Sequence, residues 1–180
     1  MEGKICNREE LKKEIEQLRG EGKKIVFTNG CFDILHVGHA RYLKEARKNG
    51  DVLVIALNSD LSVKALKGEK RPLIPEQERA EMVASLEVVD FVTIFSEATP
   101  LTLIEFLRPD VLVKGGDWAE ENVVGREAVA RWGGKTVIAP EIKGASTTNI
   151  VEKIRMVYCG AAVCCLLAVA TNFSLQNNVL

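Results

Sequence analysis

The chain has 180 residues, 47% of them hydrophobic, with 24 Lys and Arg against 25 Asp and Glu and only two histidines. That length and composition suit one domain with a sizeable core and exclude a disordered chain or a disulfide-stapled miniprotein. A formal net charge of −1 supplies no basic footprint for neutralising nucleic-acid phosphates, so no nucleic-acid partner is expected.

Asn7 followed by Glu10 has the spacing of a capping box, and Leu11, Ile15 and Leu18 then recur at helical spacing until Gly20. Five compact apolar runs follow, at Lys24–Thr28, Val52–Leu57, Val89–Phe95, Val111–Lys114 and Thr136–Ala139. Helical periodicity occupies Gly38–Lys48, Glu76–Leu86, Pro100–Leu107 and Val124–Trp132 between them. Strands apolar on both faces that alternate with helices predict a doubly wound, five-stranded parallel sheet with helices on both faces, a Rossmann-like α/β fold. In such sheets ligands bind beyond the carboxyl ends of the strands. Polar segments stand there: Asn29–His39 after the first strand, Asn58–Asp60 after the second, and Lys114–Asp117 after the fourth. After the fifth, Ser146, Thr147 and Thr148 open a last helix that runs through Ile150 and Ile154.

Both histidines fall in one stretch, Thr28-Asn29-Gly30-Cys31-Phe32-Asp33-Ile34-Leu35-His36-Val37-Gly38-His39. A His-x-Gly-His sequence between strand and helix puts two imidazoles at a helix N-terminus, where backbone N–H groups and the helix dipole favour an anion, and Gly38 admits close approach. The pattern asks for a phosphate. The rival reading is a zinc site from Cys31, His36 and His39, but no further ligand has convincing spacing, so no protein-held metal is expected. No P-loop pattern and no Gly-x-Gly-x-x-Gly after a strand occurs, which disfavours a P-loop NTPase and a dinucleotide oxidoreductase.

This string resembles the signature of the nucleotidyltransferase superfamily, and within it the adenylyltransferases of the bacterial heptose pathway. The likeness extends over roughly residues 5–156 through Asn58-Ser59-Asp60, Leu66-Lys67-Gly68 with Arg71-Pro72, Arg79-Ala80, Val89-Asp90, Thr99-Pro100, Pro109-Asp110, Val113-Lys114-Gly115-Gly116-Asp117 and Ser146-Thr147-Thr148. The resemblance implies transfer of AMP from ATP to D-glycero-β-D-manno-heptose 1-phosphate, with release of pyrophosphate, in the synthesis of a lipopolysaccharide inner-core precursor. Related chemistries stay open: a cytidylyltransferase for glycerol phosphate, an FMN adenylyltransferase, or a nucleotide-binding module without catalysis.

The resemblance also implies roles. His36, His39 and Lys67 are the expected catalytic groups. Asn29, Gly30, Phe32, Gly38, Arg71, Arg79, Gly115, Ser146, Thr147 and Thr148 are expected on the nucleotide and its phosphates. Asp33, Asn58, Asp60, Lys114 and Asp117 are expected on the acceptor side. Several have a plainer alternative. Phe32 with Cys31 could pack; Asp33, expected to touch the incoming substrate or help orient the loop, could instead cap a turn; and Lys64, Lys67 and Arg71 could form a solvated basic loop. Arg79 could pair at the surface with Glu76 or Glu78, the glycine-flanked Asp117 could be a turn residue, and Ser146 to Thr148 could be helix caps. Mg2+ is expected with ATP, because it bridges triphosphate oxygens and keeps its waters.

The charged residues sort to one side: none lies after Arg155. Residues 1–155 therefore read as the nucleotidyltransferase domain and 156–180 as an uncharged extension. As a helix, its fifteen apolar residues from Met156 to Ala170 would span about 22 Å, short of the roughly 30 Å bilayer core, which argues against a membrane anchor. A packed or intersubunit helix and a segment foreign to the catalytic domain both stay open, as does a homo-oligomer. An odd cysteine count and charged residues ahead of any apolar run point to the cytoplasm. With nothing ahead of the opening helix, the expectation is a stand-alone transferase without a fused sugar kinase.

Overall fold

A computed structural model of the chain describes residues 3–116, 119–140 and 146–158. Helix α1 (Arg8–Gly20) begins with the capping box read in the sequence: Asn7 Oδ1 accepts from the backbone N–H groups of Glu9 and Glu10 at 3.0 and 2.9 Å, and Glu10 Oε2 accepts from Asn7 N at 3.1 Å. Five strands follow, β1 (Ile25–Gly30), β2 (Val52–Asn58), β3 (Phe91–Phe95), β4 (Val111–Gly115) and β5 (Lys135–Ala139). They form one parallel sheet in the order β3-β2-β1-β4-β5. The connecting helices are α2 (Val37–Arg47), α3 (Asp60–Lys67), α4 (Glu76–Ala84), α5 (Leu101–Leu107) and α6 (Arg126–Arg131), with a 3-10 turn at Glu120–Asn122.

Alternate residues of each strand enter two separate cores. Val26, Leu53, Ile55, Leu57, Val111 and Val113 face α2 and α4 through Leu43, Ala46, Ala80 and Val83. Ile25, Phe27, Val54, Ala56 and Leu112 face α1, α5 and α6 through Leu11, Ile15, Leu103, Ile104, Leu107 and Val129. Every residue of β2 is buried, which is why this strand reads as an unbroken apolar run. At the amino ends of the strands, Asp51, Asp90 and Asp110 accept from the backbone N–H groups of Lys24, Leu53 and Ile25 at 2.7–2.8 Å. The order reverses at β1, whose neighbours are β2 and β4, so the carboxyl ends of β1 and β4 form the switch point where such sheets bind ligands.

Two expectations change. Lys64 and Lys67 lie on α3 rather than in a loop; Ser59 caps this helix, its Oγ accepting from Ser62 N at 3.2 Å, and Lys67 is its last residue. The third strand begins at Phe91 and not at Val89, because Val89 closes the preceding turn, its N–H donating to Leu86 O at 3.1 Å.

Residues 144–180 form a separate compact unit. Its described part is a helix over 147–158, with Ser146 as N-cap: Ser146 Oγ accepts from Asn149 N at 3.0 Å. This helix runs past Arg155, so the boundary drawn there from charge falls inside an element. Among the described residues no helix is long and apolar enough to cross a membrane.

Candidate active site

Strand β1 ends in Asn29 and Gly30, and the turn into α2 is shaped by Phe32, whose φ of +45° is unusual for a bulky residue. Gly30 makes the turn possible, because a Cβ there would stand 3.0 Å from the Phe32 ring, which folds back over the strand end. Phe32 is buried in the α2-side core, and its ring centroid lies 5.1 Å from that of His39. It packs, as one of its two sequence readings had it, and it also lines the pocket described below.

His36 is the N-cap residue of α2, with an extended backbone and no side-chain capping bond. Its imidazole is therefore not used by the helix. It stacks instead on His39, with centroids 3.9 Å apart and planes inclined by 23°. The Nδ1 atoms of both rings are enclosed without a hydrogen-bond partner among the described residues. Burial, reinforced by the neighbouring His36, lowers the His39 pKa to about 4; burial lowers that of His36 as well. His39 is therefore neutral at pH 7 and His36 is biased the same way, so the pair meets an anion through hydrogen bonds more than as two cations.

This has a consequence for stability. An unfolded His39 takes up its proton near the ordinary value of 6.5, the folded one only near 4. The unfolded state thus binds more protons across that window, and the His39 contribution is intact above pH 6.5 and lost as pH falls toward 4. The urea midpoint is expected to drop between pH 7 and 4.5, and to drop less in His39→Ala, the difference between the two curves isolating this residue.

His39 opens onto a cavity of about 170 Å3 at the carboxyl ends of β1 and β4, lined also by Asn29, Gly30, Cys31, Phe32, Tyr42, Lys114 and Gly115. Lys114 Nζ donates to Asn29 Oδ1 at 2.6 Å, tying the two strand ends together at the cavity. Six of the expected site residues, the catalytic His39 with Asn29, Gly30, Phe32, Lys114 and Gly115, thus share this wall with Cys31, read in the sequence as a packing residue or rival zinc ligand, and with Tyr42, which the sequence did not single out. Burial pushes the Cys31 thiol pKa up, against the pull of Lys67, Arg79 and Arg71, which puts those cations in electrostatic reach of the same wall. Gly38 is buried in the first turn of α2.

Other expected ligands are held by the protein itself. Asp33, 5% exposed, points at the segment after α3: its Oδ1 accepts from Leu73 N at 2.8 Å and Ile74 N at 3.0 Å, and its Oδ2 stands 2.7 Å from Arg71 Nε, at ion-pair distance without hydrogen-bond alignment. These contacts tie the Asp33 turn to the segment after α3. Arg79 is not at the surface and does not pair with Glu76 or Glu78. It is 1% exposed; Nε donates to Ile74 O at 2.9 Å, Nη1 to Cys31 O, and Nη2 to Asp60 Oδ1 at 2.6 Å. With each guanidinium nitrogen bonded and the side chain buried, it ties three segments together. Asp60 is committed to that pair, and its backbone N–H donates to Glu76 Oε2 at 2.6 Å. Asn58 is buried, its amide donating to Ser62 Oγ at 2.9 Å. Asp117 lies outside the described residues. Ser146, Thr147 and Thr148 form the start of the helix in the second unit, where the capping reading holds for Ser146.

Among the described residues no group of three His, Cys, Asp or Glu could hold a metal ion, and Cys31, His36 and His39 do not make one.

Residues 27–153, most of the chain, match the cytidylyltransferase-like family. The chain belongs to this family. It is a nucleotidyltransferase, with its strongest sequence feature, the paired imidazoles, at the switch point of the sheet. The bifunctional protein HldE of Geobacter metallireducens is 56% identical over 157 residues, which cover 87% of this chain and 32% of that protein. The protein of the same name from Methylobacillus flagellatus is 51% identical over 151 residues, 84% of this chain and 31% of that one. This nucleotidyltransferase chain therefore spans about a third of the length of the curated relatives it matches. Among solved structures, the lipopolysaccharide core biosynthesis protein of Thermoplasma volcanium superposes with a TM-score of 0.56 at 30% identity, covering 69% of this chain and 100% of that one. Pantoate-beta-alanine ligase of Francisella tularensis, at 19% identity and a TM-score of 0.57 over 76% of this chain and 66% of its own, shares the fold.

Proposed function

We propose that the chain transfers AMP from ATP to D-glycero-β-D-manno-heptose 1-phosphate, giving ADP-heptose and pyrophosphate. The observation that carries the chemistry is the His36–His39 stack at the start of α2, beside a cavity whose other wall holds Lys114 and Asn29. Support for the heptose acceptor comes from the order of motifs and from the company of relatives named HldE and of a lipopolysaccharide core biosynthesis protein.

In this reading an acceptor phosphate oxygen attacks the α-phosphorus, a new P–O bond forms, and the bond from the α-phosphorus to the bridging oxygen breaks as pyrophosphate leaves. The second pKa of a phosphate monoester is about 6, so the attacking oxygen is largely ionised at pH 7 and no general base is required. The catalytic load falls on positioning and on charge stabilisation. His39 and His36 donate hydrogen bonds toward the oxygens on which charge builds, and Lys114 and Lys67 bring positive charge to the triphosphate and acceptor. Mg2+ fits the donor set as a companion of ATP, since the cavity wall is built of amide, imidazole and ammonium groups that leave the ion to phosphate oxygens and water. It would screen the triphosphate charge.

A panel of ATP and CTP, each with heptose 1-phosphate, glycerol 3-phosphate and FMN, scored by pyrophosphate release, tests the proposal. Turnover with ATP and heptose 1-phosphate above all other pairs is the expected result. Activity confined to CTP, or to another acceptor, refutes the heptose assignment.

A further inference from the structure

Strands β1 and β4 pair at only two positions, Val26 with Val111 and Phe27 with Leu112, whereas β1 and β2 stay in register from Ile25–Val52 to Gly30–Leu57. The β1–β4 ladder thus ends one step before the level of Thr28 and Val113, at the edge of the cavity. At that level a side chain from a third element enters. Tyr42 stands on α2, three residues after His39 and therefore on the same helix face. Its hydroxyl lies 2.6 Å from Thr28 Oγ1 and donates to Val113 O at 3.1 Å. A carbonyl can only accept, so the tyrosine proton points at Val113 and the fully buried Thr28 hydroxyl donates to Tyr42. The resulting chain, Thr28 to Tyr42 to Val113, replaces the main-chain bonds the sheet lacks there and fastens α2 to both strands.

We propose that Tyr42 is a positioning residue for nucleotidyl transfer: its hydroxyl holds the opened ends of β1 and β4 at a fixed distance and sets His39 against the cavity. The Lys114–Asn29 bond ties the two strands to each other one step further on but does not engage α2; among the described contacts of α2 no other polar group joins both strands at this level, and the apolar core beneath fixes the seating of the helix less sharply than two directed hydrogen bonds. The proposal rests on nucleotidyl transfer at this pocket and not on which acceptor is used.

Tyr42→Phe keeps the ring and removes the strut. With thermal unfolding as a check that the variant is folded, kcat is expected to fall about 10- to 100-fold, the range for a misplaced catalytic group, while KM for ATP stays within about twofold. Combined with His39→Ala, it is expected to add less than about a twofold further loss, because a residue that acts through His39 has nothing left to position. The two histidines give a simple NMR titration. Looser seating of α2 admits water to His39, so its midpoint is expected to rise by about half a pH unit or more toward the ordinary value. Unchanged kcat with an unmoved His39 titration overturns the proposal, as do losses that multiply in the double variant. Absence of turnover in the wild-type protein counts against the proposed function, and the His39 titration then decides the role of Tyr42 alone. If Tyr42→Phe does not fold, Thr28→Val breaks the same chain and is expected to show the same kcat loss, with Thr28→Ser near wild type; full activity in Thr28→Val overturns the proposal.

Discussion

His39→Ala is expected to lower kcat by about 10²- to 10³-fold, the usual cost of losing one preorganised donor to a developing oxyanion. The argument rests on the state of the ring. Its burial against Phe32 and His36 keeps it neutral and fixes its plane, so its hydrogen bond is present before charge builds on the phosphate. A donor that needs no reorganisation favours the transition state over bound ATP. The loss should therefore appear in kcat, with the dissociation constant for ATP measured by calorimetry changing by no more than about threefold. His36→Ala should follow the same pattern with a smaller loss, because removal of one ring from the stack also frees the other. The double variant should fall well short of the product of the single losses, since the two rings act as a unit. His39→Asn, which retains an N–H donor, should recover part of the rate. Weakened ATP binding with an unaltered kcat at saturation would assign His39 to ground-state binding and refute its catalytic role.

The sheet was legible in the sequence because its strands are buried on both faces. An unbroken run such as Val52–Leu57 has few solutions other than an interior parallel strand. The imidazole pair was legible because the chain concentrates both histidines on one strand-to-helix turn. Helix α3 was not, since its eight residues bury only Ser62 and Val63, too little to make a periodic apolar face, and the adjoining Gly68 and Pro72 suggested a loop. Tyr42 hid in plain view: it follows His39 by three residues on a helix already assigned, but its partners Thr28 and Val113 are distant in sequence and only the opened β1–β4 ladder gives its hydroxyl a task. The plainer reading of Arg79, a surface pair with its sequence neighbours Glu76 and Glu78, is the one the structure does not match. The helix phase carried the better signal, because Arg79 shares the buried face of α4 with Ala80, Val83 and Ala84. An arginine on an apolar stripe is a buried cation in search of acceptors, and here it finds them on three segments.

That burial gives Arg79 a large expected effect on stability. Arg79→Ala is expected to cost about 3–5 kcal/mol, as when one member of a buried pair is removed. The carbonyls of Cys31 and Ile74 lose their donors, while Asp60, with its side chain 35% exposed, can regain water, which places the cost toward the lower end. For a chain of this size each kcal/mol shifts Tm by about 2–4 °C, so a fall of roughly 10 °C is expected in a thermal melt. Arg79→Lys should recover little of it, because a single ammonium cannot span acceptors that a planar fork reaches in three directions. The same substitution separates a structural from a ligand role. A phosphate ligand replaced by lysine would raise KM for ATP and leave Tm near wild type; a buried tie between the β1–α2 turn, the segment before α4 and the start of α3 would lower Tm and reduce kcat through the displaced cavity wall. The second pattern is expected, and an Arg79→Lys protein with unaltered Tm and a raised KM would return Arg79 to the phosphate site.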